Sequence, residues 1–89
     1  MTIEEFQLLN KDERIEKTIG SDSVAWREMK LRWFYIVKKV DGFYVELKYD
    51  EFNKERLAVD ARAIPACLYY HLVEHNYYGI CRDYFPDSL

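Results

Sequence analysis

The residues best suited to chemistry lie close together in the C-terminal part of the chain. His71, Glu74 and His75 have the spacing His-x-x-Glu-His, and Cys67 precedes His71 by four residues. On a helix, side chains four residues apart lie one turn apart on the same face. The two imidazoles could therefore share a zinc ion while Glu74 acts as a base beside them. Because zinc takes three or four such ligands, Cys67 is the third candidate, and Cys81, beyond the predicted helix, is a further one.

The same spacing occurs in the inverzincin metallopeptidases, a family that takes a further acidic ligand from a second helix well downstream. Here only 14 of the 89 residues follow His75, and their sequence does not favour a helix. The two histidines are also expected on the face of their own helix opposite its apolar stripe, together with Cys67 and Glu74. We therefore interpret the motif as a solvated helix face and keep a metal site, with zinc as the ion, as the alternative. No cofactor is expected.

Composition excludes several classes of protein. The chain has 89 residues, of which 49% are hydrophobic and 17% aromatic, which predicts one folded domain over residues 1–89 rather than disorder. A formal net charge of −3 argues against a dedicated nucleic-acid binder. Two cysteines are too few for a disulfide framework, and the first residues lack the pattern of a signal peptide. No apolar run approaches a membrane span, so we expect a cytoplasmic protein with reduced thiols.

The N-terminal part of the chain predicts two short helices. Thr2 and Asn10 are each followed three residues later by a glutamate, the spacing of a capping box. The apolar residues fall on two roughly opposite stripes if the helix is continuous, which favours a break between the two boxes. The predicted helices cover residues 3–9 and 11–18.

An antiparallel hairpin is predicted in the middle of the chain. Two runs of β-branched and aromatic residues flank Asp41-Gly42, the strongest short-range signal for a two-residue turn. With this turn, Val40 pairs with Phe43, and the register of the whole hairpin follows. The strands of the hairpin are predicted over 32–40 and 43–50.

Two more strands are predicted on either side of this hairpin. The stretch 24–32 lacks turn residues and has apolar residues at helical spacing, but we prefer a strand over 24–28 and a tight turn near Met29–Leu31. A single long bent strand is the alternative for this stretch. Alternation predicts a fourth strand over 57–64. Its inward side chains are expected to be Leu57, Val59, Ala61 and Ala63.

A C-terminal helix is predicted over 65–78, because Pro65 suits a first helical turn and Gly79 suits the position just after the last. A short extended tail follows over 80–85. The helix should bury a stripe of five side chains, namely Leu68, Tyr69, Leu72, Val73 and Asn76. The predicted fold class is α+β, an antiparallel three- to four-stranded β-meander with one or two short N-terminal helices and a C-terminal helix packed on the sheet.

The hairpin register divides the sheet into two unequal faces, because directly opposed residues point the same way. One face is apolar apart from Lys38 and is expected to be core: Phe34, Ile36, Val40, Phe43, Val45, Leu47 and Tyr49. The other face combines aromatic and charged side chains, the composition of a protein-recognition surface. Its candidate binding residues are Trp33, Tyr35, Tyr44, Lys39 and Lys48. Two arrangements remain open: the N-terminal helices cover this second face, or all helices pack on the first.

The preferred function is therefore a non-enzymatic protein–protein interaction or self-association module, with a protein partner or a homo-oligomer and no catalytic residues. Nucleic-acid binding is a further alternative, because the element order is also that of double-stranded-RNA-binding domains. Those domains place lysines at the start of the last helix, where this chain reads Ile64-Pro-Ala-Cys-Leu-Tyr. Aromatic side chains on the sheet could stack on bases, but the glycine–aromatic signature of RNA-recognition motifs is missing.

Overall fold

A computed structural model describes residues 1–28, 32–52 and 57–80. The elements in chain order are α1 (Ile3–Gln7), α2 (Lys11–Thr18), β1 (Asp22–Glu28), β2 (Trp33–Val40), β3 (Phe43–Asp50), β4 (Ala58–Ile64), α3 (Ala66–Glu74) and β5 (Gly79–Ile80). Within the described residues the sheet is antiparallel, with strand order β4-β3-β2-β1-β5. The predicted α+β class is confirmed, with a four-stranded meander, two N-terminal helices and a C-terminal helix. The two-residue strand β5 lies at the start of the segment predicted to be extended, and it adds a fifth strand to the sheet beyond β1.

Both N-terminal helices begin at the predicted capping boxes. The Thr2 hydroxyl accepts a hydrogen bond from the Glu5 N–H at 3.2 Å, and the Glu5 carboxylate accepts one from the Thr2 N–H at 3.0 Å. Asn10 and Glu13 form the same reciprocal pair at 2.9 and 3.1 Å. Each box satisfies two backbone donors that a helix leaves unpaired at its start. The first helix is shorter than predicted and ends at Gln7.

The hairpin has the predicted register, from Val40 opposite Phe43 at the turn to Phe34 opposite Tyr49. The left-handed residue of the turn is Asp41, with φ of 49°, and the glycines of the described residues all have negative φ. Aspartate tolerates this region better than most residues. The predicted strand over 24–28 is confirmed as part of β1, whereas the turn predicted near Met29–Leu31 lies outside the described residues.

The first face of the sheet carries α1 and α2 and forms the larger core. Phe6 of α1 is fully buried, and its ring meets that of Phe43 edge-on with 5.6 Å between centroids. Lys38, the one charge predicted on this face, donates from Nζ to the Ser21 carbonyl at 3.0 Å. The buried members of this core are Phe6, Val40, Phe43, Val45, Leu47, Tyr49 and Ala61. The predicted core face is thus confirmed.

The second face carries α3, so that the sheet is covered by helices on both sides. The buried residues of this second core are Val24, Ala25, Val37, Tyr44, Ile64, Tyr69 and Tyr78. Both arrangements considered from the sequence are wrong, because the N-terminal helices pack on one face and the C-terminal helix on the other. Among the residues described, no helix is long and apolar enough to cross a membrane.

Strand β4 departs from its predicted alternation at its first residues. Lys48 pairs with Asp60 but Tyr49 pairs with Ala58, so the ladder skips Val59. Such a bulge changes which side chains face the core. Ala58 therefore packs on the first core, and Leu57, predicted inward, is 58% exposed. Beyond the bulge the pattern resumes, and Ala61 and Ala63 face inward as predicted.

Helix α3 ends at Glu74, four residues before the predicted end. The Tyr77 N–H donates to the Leu72 carbonyl at 2.8 Å, and the Asn76 N–H donates to the Val73 carbonyl at 3.0 Å. Asn76 has φ of 58°. These are the two hydrogen bonds and the left-handed residue of a Schellman motif. The left-handed residue that terminates the helix is therefore Asn76 and not Gly79.

The buried stripe of α3 is correspondingly narrower than predicted. Tyr69, Leu72 and Val73 pack on the second core, whereas Leu68 is 42% exposed and Asn76 is exposed. Gly79 lies instead in β5, paired with Trp26 of β1. Beyond the pairing of Ile80, the predicted tail over 80–85 lies outside the described residues.

Candidate protein-binding surface

Tyr44, one of the predicted binding residues, lies beneath α3. It is only 6% exposed, and its ring stacks on that of Tyr69 with 3.8 Å between centroids and 13° between planes. Its hydroxyl also lies 3.3 Å from the hydroxyl of Tyr70. Tyr44, a candidate binding residue, is therefore part of the second core and not of an open surface. Ile64 lies opposite Tyr44, and the predicted C-terminal helix begins at the next residue, Pro65. The sequence therefore contained a signal that this helix would cover the part of the face around Tyr44.

The opposite half of the second face, near Trp33, contains the other aromatic residues. Tyr35 of β2 stands directly between Arg27 of β1 and Lys48 of β3 in the ladder. Trp33 and Tyr35 are both half-buried. The Nζ atom of Lys48 lies 4.1 Å from the centroid of the Trp33 ring. Three of the five predicted binding residues, Trp33, Tyr35 and Lys48, are thus brought together.

Three further residues complete this surface and were not among the predicted binding residues. The Arg27 guanidinium lies 3.8 Å from the centroid of the Tyr77 ring and donates a hydrogen bond to the Tyr77 hydroxyl. The Arg32 guanidinium lies 4.7 Å from the Trp33 ring. We call these residues the aromatic–basic patch: Arg27, Arg32, Trp33, Tyr35, Lys48 and Tyr77. Arg27 could have been found from the pairing of β1 with β2. Tyr77 was missed because the predicted C-terminal helix extended to residue 78 and so included it.

The positive charges of the patch are only partly neutralised. Arg32 pairs with Asp50 at 3.1 Å. The pKa of Asp50 is lowered, first by the hydrogen bond that its carboxylate accepts from the Phe52 N–H and then by Arg32. Asp60 stands opposite Lys48 in the ladder, but its carboxylate accepts from the Ala61 N–H at 2.9 Å.

Two other cations of the patch have no acidic partner in the part of the chain that the structure describes. Within residues 1–28, 32–52 and 57–80, neither Arg27 nor Lys48 forms an ion pair with a carboxylate. Both instead lie against aromatic rings, an attraction worth about 0.5–1 kcal/mol at an exposed site. A ring does not cancel the charge as a carboxylate does. The six residues of the patch carry three positive charges, of which that of Arg32 is paired with Asp50, on a chain whose formal net charge is −3.

The fifth predicted binding residue, Lys39, lies apart from the patch. It is exposed and pairs with Asp22 and Tyr44 at the end of β2 nearest the hairpin turn. Lys39 is therefore at the covered end of the face, away from Trp33 and Lys48.

A buried polar group marks the border between the covered and the open halves. Glu46 is only 8% exposed, and its carboxylate accepts a hydrogen bond from the Tyr78 hydroxyl. Arg62 lies 3.5 Å from the same carboxylate. Burial, reinforced by the hydrogen bond to Glu46, raises the pKa of Tyr78 well above its usual value. This contact holds the segment that carries Tyr77 against the sheet and so positions one side of the patch.

The candidate metal ligands lie on the exposed side of α3. Cys67, His71, Glu74 and His75 are all exposed, as predicted for a solvated face. The imidazole rings of His71 and His75 are 4.4 Å apart between centroids. Among the described residues, no three or more histidine, cysteine, aspartate or glutamate side chains are grouped so as to hold a metal ion. Cys81 lies outside these residues, and Cys67 is a free thiol.

No protein-family model, curated protein or solved structure matches the chain. The geometry of the aromatic–basic patch is therefore the basis for assigning a function.

Proposed function

We propose that the protein is a non-enzymatic protein–protein interaction module that binds an acidic segment of a partner through the aromatic–basic patch. The observation that supports this function is the half-covered second face of the sheet. Trp33 and Tyr35 remain half-exposed there, while Tyr44 on the same face is buried. Tryptophan, tyrosine and arginine dominate the binding energy of protein interfaces. A cytoplasmic location accompanies the proposal, because the exposed thiol of Cys67 suits a reducing compartment.

The charge of the patch favours an acidic partner over a second copy of the chain. In a two-fold dimer formed patch to patch, the same surface of each copy faces the other, so the cations of one patch would meet those of the second. Like charges across an interface cost several kcal/mol. Carboxylates of a partner would instead reach the two cations from their open sides and leave both in contact with their rings. Complementary charge of this kind also accelerates association.

Strand addition at the sheet edge is less well supported than binding to the patch. An unpaired edge strand can accept another strand through its backbone. On the edge strand β4, however, the Asp60 carboxylate accepts the Ala61 N–H, and the ladder is bulged at Val59. A charged side chain bound to its own backbone and a bulge are both devices that discourage edge pairing.

The same geometry disfavours nucleic acid as the ligand. Bases stack on open aromatic faces. In the patch, Lys48 and Arg32 lie over the Trp33 ring at 4.1 and 4.7 Å, and Arg27 lies over the Tyr77 ring at 3.8 Å. A base would have to displace these cations before it could stack, whereas a carboxylate would not.

Selection from a phage-displayed library of random peptides tests the proposal without a known partner. We expect the wild-type chain to enrich peptides with a surplus of aspartate and glutamate, flanked by apolar residues that contact Trp33 and Tyr35. Lys48→Glu and Arg27→Glu should each weaken binding of an enriched peptide by at least about tenfold. Lys39→Glu is the matched control, because it makes the same charge change on the covered end of the same sheet, and it should change affinity by no more than about twofold.

Four results would overturn the proposal. The first is no enrichment on the wild-type chain, and the second is an equal loss for Lys39→Glu. The third is a dimer in sedimentation that Lys48→Glu dissociates, which would make a second copy the occupant. Binding of single-stranded oligonucleotides that is lost in Lys48→Glu would assign the patch to nucleic acid instead.

A further inference from the structure

We propose that His71 and His75 form a two-histidine chelate for a divalent transition-metal ion on the exposed side of α3. The site is independent of the aromatic–basic patch. Both side chains are exposed and one helical turn apart, and their rings are 4.4 Å apart between centroids with 56° between planes. Imidazole nitrogens of two such rings can converge on one ion, with water in the remaining positions. The ligand class is the imidazole-preferring ions Ni²⁺, Cu²⁺ and Zn²⁺.

The backbone holds the two histidines at this spacing before any ion binds. His75 is the last residue of the helical turn, and its N–H donates to the His71 carbonyl at 3.1 Å. The next residues close the Schellman motif, in which the Tyr77 N–H binds the Leu72 carbonyl at 2.8 Å. The turn that carries both ligands is thus fixed at its end. Little backbone ordering remains to be done on binding, which favours affinity.

The number of protein ligands determines which ions bind best. The two histidines supply two ligands, and no third histidine, cysteine, aspartate or glutamate is grouped with them among the described residues. Zinc sites in proteins usually have three or four protein ligands, and the Irving–Williams order places Zn²⁺ below Cu²⁺, so Zn²⁺ should bind more weakly than Cu²⁺. Mg²⁺ prefers oxygen ligands and should not bind. A hydrolytic role is not implied.

Calorimetric titration of the full chain with NiCl₂ tests the chelate. We expect one Ni²⁺ per chain and a rise in the unfolding temperature with added Ni²⁺, because an ion bound only to the folded state stabilises that state. His71→Ala and His75→Ala should each lower the affinity by at least about tenfold. Cys67→Ser and Glu74→Gln, which alter exposed neighbours on the same side of the helix, are the controls and should retain binding. Far-ultraviolet circular dichroism establishes that each variant is folded.

The proposal is overturned if the histidine variants bind Ni²⁺ as the wild type does. It is also overturned if Cys67→Ser or Glu74→Gln loses as much affinity, since the site would then have a different ligand set. If the mass of the protein in solution doubles on addition of Ni²⁺, the ion is shared by the histidines of two copies, and the chelate completed by water is overturned.

Discussion

The indole of Trp26 lies directly against the Cα of Gly79 on the neighbouring strand. A Cβ atom added at Gly79 would lie 2.8 Å from Cε2 and 2.9 Å from Nε1 of the indole. The two residues are paired in the ladder between β1 and β5. Glycine is therefore required at this position for close approach and not as a helix cap. The contact covers part of the Trp26 side chain, which remains 49% exposed.

Gly79→Ala should displace the Trp26 indole and destabilise the fold by about 1–3 kcal/mol, the usual cost of overpacking. Urea unfolding and tryptophan fluorescence measure the two effects. Gly20→Ala is the control, because a Cβ there would meet nothing within 4 Å. In a double-mutant cycle, the cost of Gly79→Ala should largely vanish in the background of Trp26→Ala. A cost that persists in that background would show that the indole is not the obstacle.

The left-handed conformation of Asn76 leads to a second prediction about stability. A residue with a Cβ and no local hydrogen-bonding side chain pays about 1–2 kcal/mol in this region. Asn76→Ala should therefore lower the free energy of unfolding by about 1 kcal/mol, while Asn76→Gly should leave it unchanged or raise it. Equal effects of the two substitutions in urea unfolding would contradict the assignment of Asn76 as the residue that ends α3.

Asn76 and Gly79 also show where prediction from the sequence succeeds and where it fails. The capping boxes at Thr2 and Asn10 and the turn at Asp41 were predictable because each signal lies within a few neighbouring residues. The end of α3 was not, because both Asn76 and Gly79 can follow a helix. The choice between them depends on Gly79 being held beneath Trp26, a contact between strands far apart in the sequence.

The candidate site divides in the same way. Trp33, Tyr35 and Lys48 could be grouped because the hairpin turn determines their register. Tyr44 was assigned to the same surface because the strand register determines which face a side chain lies on. The register does not determine which other element covers that face. Tyr77 required the correct end of α3, and no local pattern supplied it.

The Tyr78–Glu46 contact predicts how stability depends on alkaline pH. The pKa of Tyr78 is raised above the value of 10.0 for an unperturbed tyrosine. A phenol with a raised pKa in the folded state contributes stability that is fully present below pH 10 and is lost as pH rises further, when the unfolded chain ionises first. Tyr78→Phe should flatten this loss in denaturant unfolding measured on either side of pH 10.

Tyr49→Phe is the control that separates the contribution of the Tyr78–Glu46 hydrogen bond from that of tyrosine burial. Burial also raises the pKa of Tyr49, so Tyr49→Phe should flatten the same slope through desolvation alone. At neutral pH, however, Tyr78→Phe removes a donor from the buried Glu46 carboxylate and should cost about 1–3 kcal/mol. Tyr49→Phe should cost less at neutral pH. An equal cost would mean that the hydrogen bond to Glu46 contributes nothing.

Arg14 joins the two N-terminal helices through the end of α1. Its guanidinium donates to the carbonyls of Phe6 at 3.4 Å and Gln7 at 2.7 Å. Arg14→Ala should therefore destabilise the fold by about 0.5–1.5 kcal/mol, since the Gln7 carbonyl loses its donor. The Phe6 carbonyl keeps the hydrogen bond from the Leu9 N–H at 3.1 Å. Lys17→Ala, which removes an exposed cation from the same helix, should change the free energy of unfolding by less than about 0.5 kcal/mol. Urea unfolding of the two variants side by side distinguishes a specific cap from a general charge effect.

The two halves of the second sheet face should respond differently to truncation of the same residue type. Tyr44 is 6% exposed and stacked on Tyr69, so Tyr44→Ala should cost about 3–5 kcal/mol, as for other buried aromatic residues. Tyr35 lies on the same face but is half-buried within the patch, so Tyr35→Ala should cost clearly less in urea unfolding and should reduce binding of a selected acidic peptide. If Tyr35→Ala unfolds the chain as readily as Tyr44→Ala, the patch is part of the core, and a binding surface there loses its physical basis.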